Sequence, residues 1–404
     1  MIRTTLTLAL AAAAALALAP TAQAQKRYDS GASDTEIRIG QTMPYSGPAS
    51  AYGSQGKVEL AYFKMLNAQG GINGRKVNLL SLDDGYSPPK TIEQTRKLVE
   101  QDEVLAIMNA LGTPTNSATH KYLNQKGVPQ LLVSSGASKW NDPKAFRWTT
   151  PFFPPYIQEG MIYAKHILTN FPNAKIAIIS QNDDAGRDYV KGFKMGLGSK
   201  VSQVVKEVTY EVTDATVDSQ VIALKSAGAD TLFTMATPKF GAQVIRKVAE
   251  IGWKPHHYIV SVSSSQGTVL EPAGLDKSVG LITAMAFKLA GDPTWDNDAE
   301  MKEFLKFCKE WFPEGNPTDA SVVLGYVTAH MMVHILKSAG DNLTRENILK
   351  VSTNVRGLKL PLLLPGVQVN ITPDDYSTFN TFRTARFDGK RWALFGDPIV
   401  ADGK

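Results

Sequence analysis

The chain has 404 residues, 43% hydrophobic and 20% charged, with a formal net charge of +5 and one cysteine, Cys308. Its length exceeds what one core usually organises, so two domains are expected, and a lone cysteine excludes an internal disulfide. The basic balance is mild, lysines are scattered among acids, and no basic run is interleaved with aromatics, which excludes a nucleic-acid footprint.

Arg3, an apolar run over residues 6–19 and Ala22-Gln23-Ala24 have the layout of a secretory signal, with cleavage expected after Ala24. The run is shorter than the roughly 20 residues that span a bilayer, and no later stretch reads as comparably long and uncharged. A soluble, exported mature chain of net charge +4 is expected, Arg3 being the only charge removed.

Ile37 and Ile39 mark a first strand. Val58, Ala61, Tyr62, Met65 and Leu66 then recur at i, i+3, i+4, i+7 and i+8, one buried face of a helix, and Asn73-Gly74 turns the chain into the next strand. Between that strand and helix lies a Gly/Ser/Pro loop ending at Tyr52-Gly53, at the strand carboxyl end where open α/β sheets bind ligands. The alternation continues with a helix in KTIEQTRKLVEQ, a strand in VLAIMN, a helix in SATHKYLNQ and a strand in PQLLVSS. This is the pattern of right-handed βαβ crossovers covering both faces of a parallel sheet.

The pattern breaks at FRWTTPFFPPY, residues 146–156. Its paired prolines neither continue a helix nor donate to a central ladder, so it is expected to pass between lobes. A second series follows: a helix face at Ile157, Met161, Ala164 and Leu168, the strand KIAIIS, a helix over 186–197, another at Val217, Val221 and Leu224, the strand DTLFTM, and a helix at Val244, Ile245 and Val248. Helices are predicted over 298–312 and 320–338. Strands are predicted in GVQVNI, TFRTARF and RWALF, expected to close the lobes, while GLKLPLLLPG has no clear period. The fold class expected is α/β, two doubly wound parallel-sheet lobes.

SGPASAYG at 46–53, LNAQGGINGRKV at 66–77, DDGYSP at 83–88, QNDDAGRDYVKG at 181–192 and EPAGLDKSVGLIT at 271–283 together resemble the leucine/isoleucine/valine-binding protein family, the type I periplasmic substrate-binding proteins of ABC importers. The resemblance covers nearly all of the mature chain. It implies lobes over 36–149 with 285–362 and over 150–284 with 363–400, joined by three hinge crossings near 148–151, 284–287 and 360–370, that close on a ligand. It also implies a monomer in the periplasm that delivers its ligand to a membrane permease with ATPase subunits.

Thr113-Pro114 follows VLAIMN and reads as an N-cap with proline at the first helical position. A helix amino terminus can hold a carboxylate through its free N–H groups, and the family's matching position binds the ligand carboxylate. Ser134, Ser135 and Gly136 follow the next strand and are expected beside Thr113. Amino-acid binders of the family commonly carry a threonine where this chain has Gly136. Tyr52 matches an aromatic cleft wall, which Tyr45 and Phe152 are candidates to join, the alternative for both being interlobe core. In the second lobe a family tyrosine maps to Thr237, and the acid that pairs with a ligand ammonium maps near Val262, within VSVSSSQG, where no acid stands. An unpaired buried ammonium costs several kcal/mol. Asp183 and Asp184 are the candidate substitutes, with helix capping as their other reading. An apolar or aromatic carboxylate is therefore expected, with amino acids or an amide or urea-like ligand as alternatives.

Catalytic patterns are incomplete. GSQGK at 53–57 has the wrong spacing for a phosphate cradle. Gly136-Ala137-Ser138 begins a nucleophile elbow, but Trp140 replaces its closing glycine and no triad partners can be assigned. His330 and His334 have zinc-ligand spacing without a glutamate after His330 or a third ligand, and His256-His257 would point to opposite faces of a strand. Neither an enzyme nor a metal or cofactor is expected. A ligand-sensing regulator and an exported hydrolase are the readings from other classes.

Overall fold

A computed structural model describes residues 26–401, and the expected signal segment lies outside them. Strands β1 (Glu36–Met43), β2 (Lys76–Asp83), β3 (Ala106–Met108), β4 (Gln130–Val133) and β5 (Thr149–Pro151) form a parallel sheet in the order β2-β1-β3-β4-β5. Helices α1 (Gly53–Ala68), α2 (Pro88–Arg96) and α3 (Thr113–Lys126) make its crossovers. Val58, Ala61, Tyr62 and Leu66 of α1 are buried, with Met65 half-buried at the edge of that face. The proline-rich segment is not a passage alone: Thr149–Pro151 first adds an edge strand beside β4. An edge tolerates proline because one side of the strand needs no ladder donor.

The second sheet is built from β6 (Ile176–Gln181), β7 (Val204–Tyr210), β8 (Thr231–Met235), β9 (His256–Ile259) and β10 (Ile282–Met285), all parallel. Its helices are α4 (Tyr156–Asn170), α5 (Asp184–Leu197), α6 (Asp218–Ser226) and α7 (Pro238–Glu250). Every residue of β6 and β8 is buried, as central parallel strands covered on both faces require. By contrast β7 is an edge strand that exposes most of its side chains, so no apolar run announces it.

After β10 the chain returns to the first lobe with α8 (Ala299–Trp311) and α9 (Ala320–Ala339). Phe307 and Tyr326 from these helices pack their rings against Tyr62 of α1, at 5.8 and 5.5 Å. By length and composition α9 could cross a membrane, contrary to the expectation that no such stretch follows the signal, but it is mostly buried in the protein. A helix apolar all round is what a core position selects. His330 lies on it between the rings of Tyr62 and Tyr326, at 4.8 and 4.6 Å.

The last third also departs from expectation. GVQVNI pairs only within a hairpin, β11 (Val355–Leu358) with β12 (Val369–Ile371), while β13 (Thr381–Phe387) and β14 (Trp392–Val400) extend the second sheet antiparallel beside β10. The closing strands therefore serve one sheet, not both. GLKLPLLLPG runs antiparallel to the chain leaving β10: Lys288 donates its backbone N–H to the carbonyl of Leu362 (2.7 Å) and Leu364 donates to that of Ala286 (2.9 Å). Leu360, Leu362, Leu363 and Leu364 are all buried there, and a run in which three consecutive leucines are covered has no reason to show a period.

Candidate functional site

The strand orders place the site. In the first sheet β1 lies between β2 and β3, and the chain following β1 and β3 carries Tyr52 and Thr113. In the second sheet β6 lies between β7 and β8, and the ends of those inner strands carry Gln181 and Thr237. Open α/β sheets bind ligands at such reversals of strand order, and here two of them face one cavity. The cavity measures about 90 Å³, several times the roughly 10–15 Å³ that admits one water. Tyr52, Gln55, Tyr86, Thr113 and Ser134 form one wall, and Tyr156, Gln181, Thr237, Ser261 and Val262 the other. Phe153 and Ala284–Phe287 close the side where the chain crosses. None of the lining residues is Asp, Glu, Lys, Arg or His.

Thr113 is the first residue of α3, not its cap. The cap is Gly112, whose φ of 102° suits glycine, and a Cβ there would stand 2.5 Å from the Tyr86 ring. The Thr113 hydroxyl is thus free for other work and lies 2.7 Å from Ser135 Oγ. Ser135 Oγ already accepts from Trp140 Nε1 (2.8 Å) and from the Ala137 N–H (3.3 Å). With both lone pairs engaged, its proton goes to Thr113, which leaves the Thr113 proton to be donated onward. Ser134 Oγ pairs with the Gln55 amide at 3.1 Å, and both residues line the cavity.

Several sequence candidates stand elsewhere. Ser135 is fully buried behind Thr113, a support and not a wall. Gly136 is absent from the lining: a Cβ on it would meet the Pro154 carbonyl oxygen at 2.0 Å and the Tyr156 ring at 2.7 Å, so the crossing segment occupies the space of the missing side chain. Phe152 packs edge-on against Phe379 in the core (5.4 Å), and its neighbour Phe153 lines the cavity instead. Tyr45 turns away to hydrogen-bond Ser81 Oγ at 2.5 Å.

Asp183 caps α5, accepting from the Gly186 N–H at 2.9 Å and from Gln181 Nε2 at 2.7 Å. Asp184 pairs with Lys139 at 2.8 Å and with Arg187. Neither lines the cavity. Two other acids lie close behind its wall. Glu159 accepts from Tyr163 Oη (2.5 Å), Tyr189 Oη (2.8 Å) and both the N–H and the hydroxyl of Ser261 (2.7 and 2.8 Å), and burial pushes its carboxyl upward. Asp319 caps α9 through Ser321 N–H and accepts from Ser265 and Ser54, at 2.9 and 3.0 Å.

Tyr86, Tyr156, Gln55 and Gln181 were not singled out in the sequence. Each lies at or just past the end of a strand or in the first turns of a helix at the sheet ends, the place a search beyond hydroxyl residues would have covered. Burial holds the Tyr52 and Tyr86 phenols well above their ordinary range and pushes Tyr156 up to about 12, so all three are neutral hydroxyls at physiological pH.

Two hydrogen-bonded links join the lobes at the cavity: Tyr52 Oη donates to the Val262 carbonyl at 3.0 Å, and Asp319 ties Ser54 to Ser265. Asp319→Ala removes three hydrogen bonds, the helix cap among them, from a site only 3% exposed. It is expected to cost about 1–3 kcal/mol in urea unfolding, and an unchanged midpoint would show that the link carries no stability.

Two α/β lobes enclosing a cavity between opposed switch points define a ligand-enclosing two-lobe receptor. The chain belongs to the periplasmic binding protein family, whose pattern matches residues 36–391. It is similar to Leu/Ile/Val-binding protein homolog 1 of Brucella abortus, with 24% identity over 317 residues that cover 77% of this chain and 81% of the relative. In fold it resembles a branched chain amino acid ABC transporter structure from Thermus thermophilus with bound valine, with TM-score 0.80, 16% identity, and 92% and 97% of the two chains covered. It also resembles a solute binding protein of an ABC transporter from Rhodopseudomonas palustris BisB5 in complex with 3,4-dihydroxybenzoic acid, with TM-score 0.76, 18% identity, and 91% and 98% covered.

Proposed function

We propose that this protein is the periplasmic, monomeric receptor of an ABC importer, capturing a small apolar or aromatic carboxylate and presenting it to a permease with ATPase subunits. The lobes, divided as 36–149 with 285–362 and 150–284 with 363–400, close on the ligand about their crossings, and closure is what the permease distinguishes. No covalent chemistry is part of this reading.

The observation that carries it is the chemistry of the cavity wall. The α3 amino terminus and the free Thr113 proton can receive a carboxylate, while the wall offers no acid to an ammonium. Phe153, Phe287, Met235 and Met285 give the body of the ligand apolar contact. A branched-chain amino acid is the second reading, favoured by the Brucella and Thermus relatives named above. Calorimetry decides between them: benzoate and phenylpropanoate should bind and leucine and valine should not, whereas tight leucine binding without the aromatic acids overturns the assignment. Thr113→Ala should weaken a bound carboxylate about tenfold or more, and unchanged affinity would remove Thr113 from the site.

A further inference from the structure

We propose that Thr237 sets ligand specificity by hydrogen-bonding an uncharged hydroxyl or carbonyl at the end of the ligand opposite its carboxylate. This rests on the carboxylate reading and deepens it by naming a second group the ligand carries. Thr237 lies between β8 and α7, at the second sheet's switch point, across the cavity from Thr113. It is 4% exposed, and its Oγ1 has no hydrogen-bond partner among the described residues.

The position makes that orphan hydroxyl informative. Thr237 holds the N-cap place of α7, where a threonine side chain ordinarily accepts from an amide of the first turn, yet it makes no such bond. Its own N–H donates to Tyr210 Oη at 2.9 Å. Tyr210 Oη lies beside that hydroxyl, but it already accepts from the Thr237 N–H and donates to Gln181 Oε1, and the Thr237 hydroxyl closes no hydrogen bond in the ligand-free fold; a partner arriving from the cavity accounts for it.

Charge narrows the partner. An ammonium would need an acid, and each carboxylate near this wall is engaged: Asp183 by Gly186 and Gln181, Glu159 by Tyr163, Tyr189 and Ser261, Asp319 by Ser54, Ser265 and Ser321. A second carboxylate would share the cavity of about 90 Å³ with the first, with no Lys, Arg or His on the wall to offset the repulsion. A neutral oxygen group avoids both costs.

The test is calorimetry of wild type, Thr237→Val and Thr237→Ser against two pairs, benzoate with 4-hydroxybenzoate and phenylacetate with 4-hydroxyphenylacetate. In at least one pair the wild type should prefer the hydroxylated acid by about tenfold. Thr237→Val should abolish that preference by weakening the hydroxylated acid about tenfold more than the plain one, and Thr237→Ser should keep it. Ligand-free Thr237→Val should melt at or above the wild type, since it deletes an unsatisfied hydroxyl. If plain and hydroxylated acids weaken by the same factor in Thr237→Val, the proposal is wrong while the carboxylate reading stands. If no acid of either pair binds the wild type, both fall.

Discussion

Replacing Gly136 by threonine is expected to destabilise the protein by about 3 kcal/mol and to leave leucine unbound, although it restores the residue that amino-acid binders of the resembling family commonly carry. The new Cβ would stand 2.0 Å from the Pro154 carbonyl oxygen and 2.7 Å from the Tyr156 ring. The obstacle is backbone, and it is tied in place because Tyr156 N–H donates to the Gly136 carbonyl at 2.9 Å. Relief therefore requires moving the crossing segment that also supplies Phe153 and Tyr156 to the cavity. Some of the cost is offset, since threonine restricts the unfolded chain more than glycine does. Urea unfolding measures the first expectation and calorimetry with leucine the second. A variant with an unchanged midpoint that binds leucine would mean that the glycine alone decides the ligand.

That coupling marks the limit of what could be read from the chain. Tyr52, Thr113, Ser134 and Thr237 were legible because each follows a strand that an apolar run announces, and the ends of inner parallel strands converge by topology. Side-chain parity was not legible. Ser134 faces the cavity while Ser135 is buried behind it, and Phe153 lines the cavity while Phe152 enters the core. Adjacent residues of an extended segment point to opposite sides, so paired serines and paired phenylalanines give no signal of which member faces the ligand. Thr113 was placed one position off because its cap is a glycine with positive φ, a backbone fact that serine-threonine cap rules do not reach. Gly136 read as a lost hydroxyl. Its cause lies 18 residues downstream, at Pro154, in a contact that no local pattern encodes.

The difference in stability between wild type and Glu59→Gln is expected to depend on pH, with the wild type losing ground as pH rises from about 5 to about 8. Glu59 on α1 is fully buried and accepts from Gln41 Nε2 and Asn109 Nδ2, which lowers its pKa less than burial raises it, leaving the carboxyl at about 8. The folded state thus holds a proton that the unfolded chain releases near pH 4.5. Stability associated with Glu59 is fully present below that value and is lost as pH climbs through the folded pKa, by up to about 5 kcal/mol. The wild-type profile alone would mislead. His257 and His330 are pushed by burial down to about 3 and about 4, so they lower stability below about pH 6.5 and act in the opposite direction. Glutamine keeps the neutral shape without the titration, so subtracting the variant isolates Glu59. The network matters to the site because it joins β1, β2, α1 and the end of β3: Gln41 Oε1 accepts from Ser81, which bonds Tyr45, and Asn109 directly follows β3 on the approach to Thr113. Charging Glu59 should loosen the wall that holds the carboxylate, so ligand affinity should fall over the same pH window in wild type and stay level in Glu59→Gln. Parallel urea-stability curves at pH 5 and pH 8.5 would show that Glu59 does not titrate in this range.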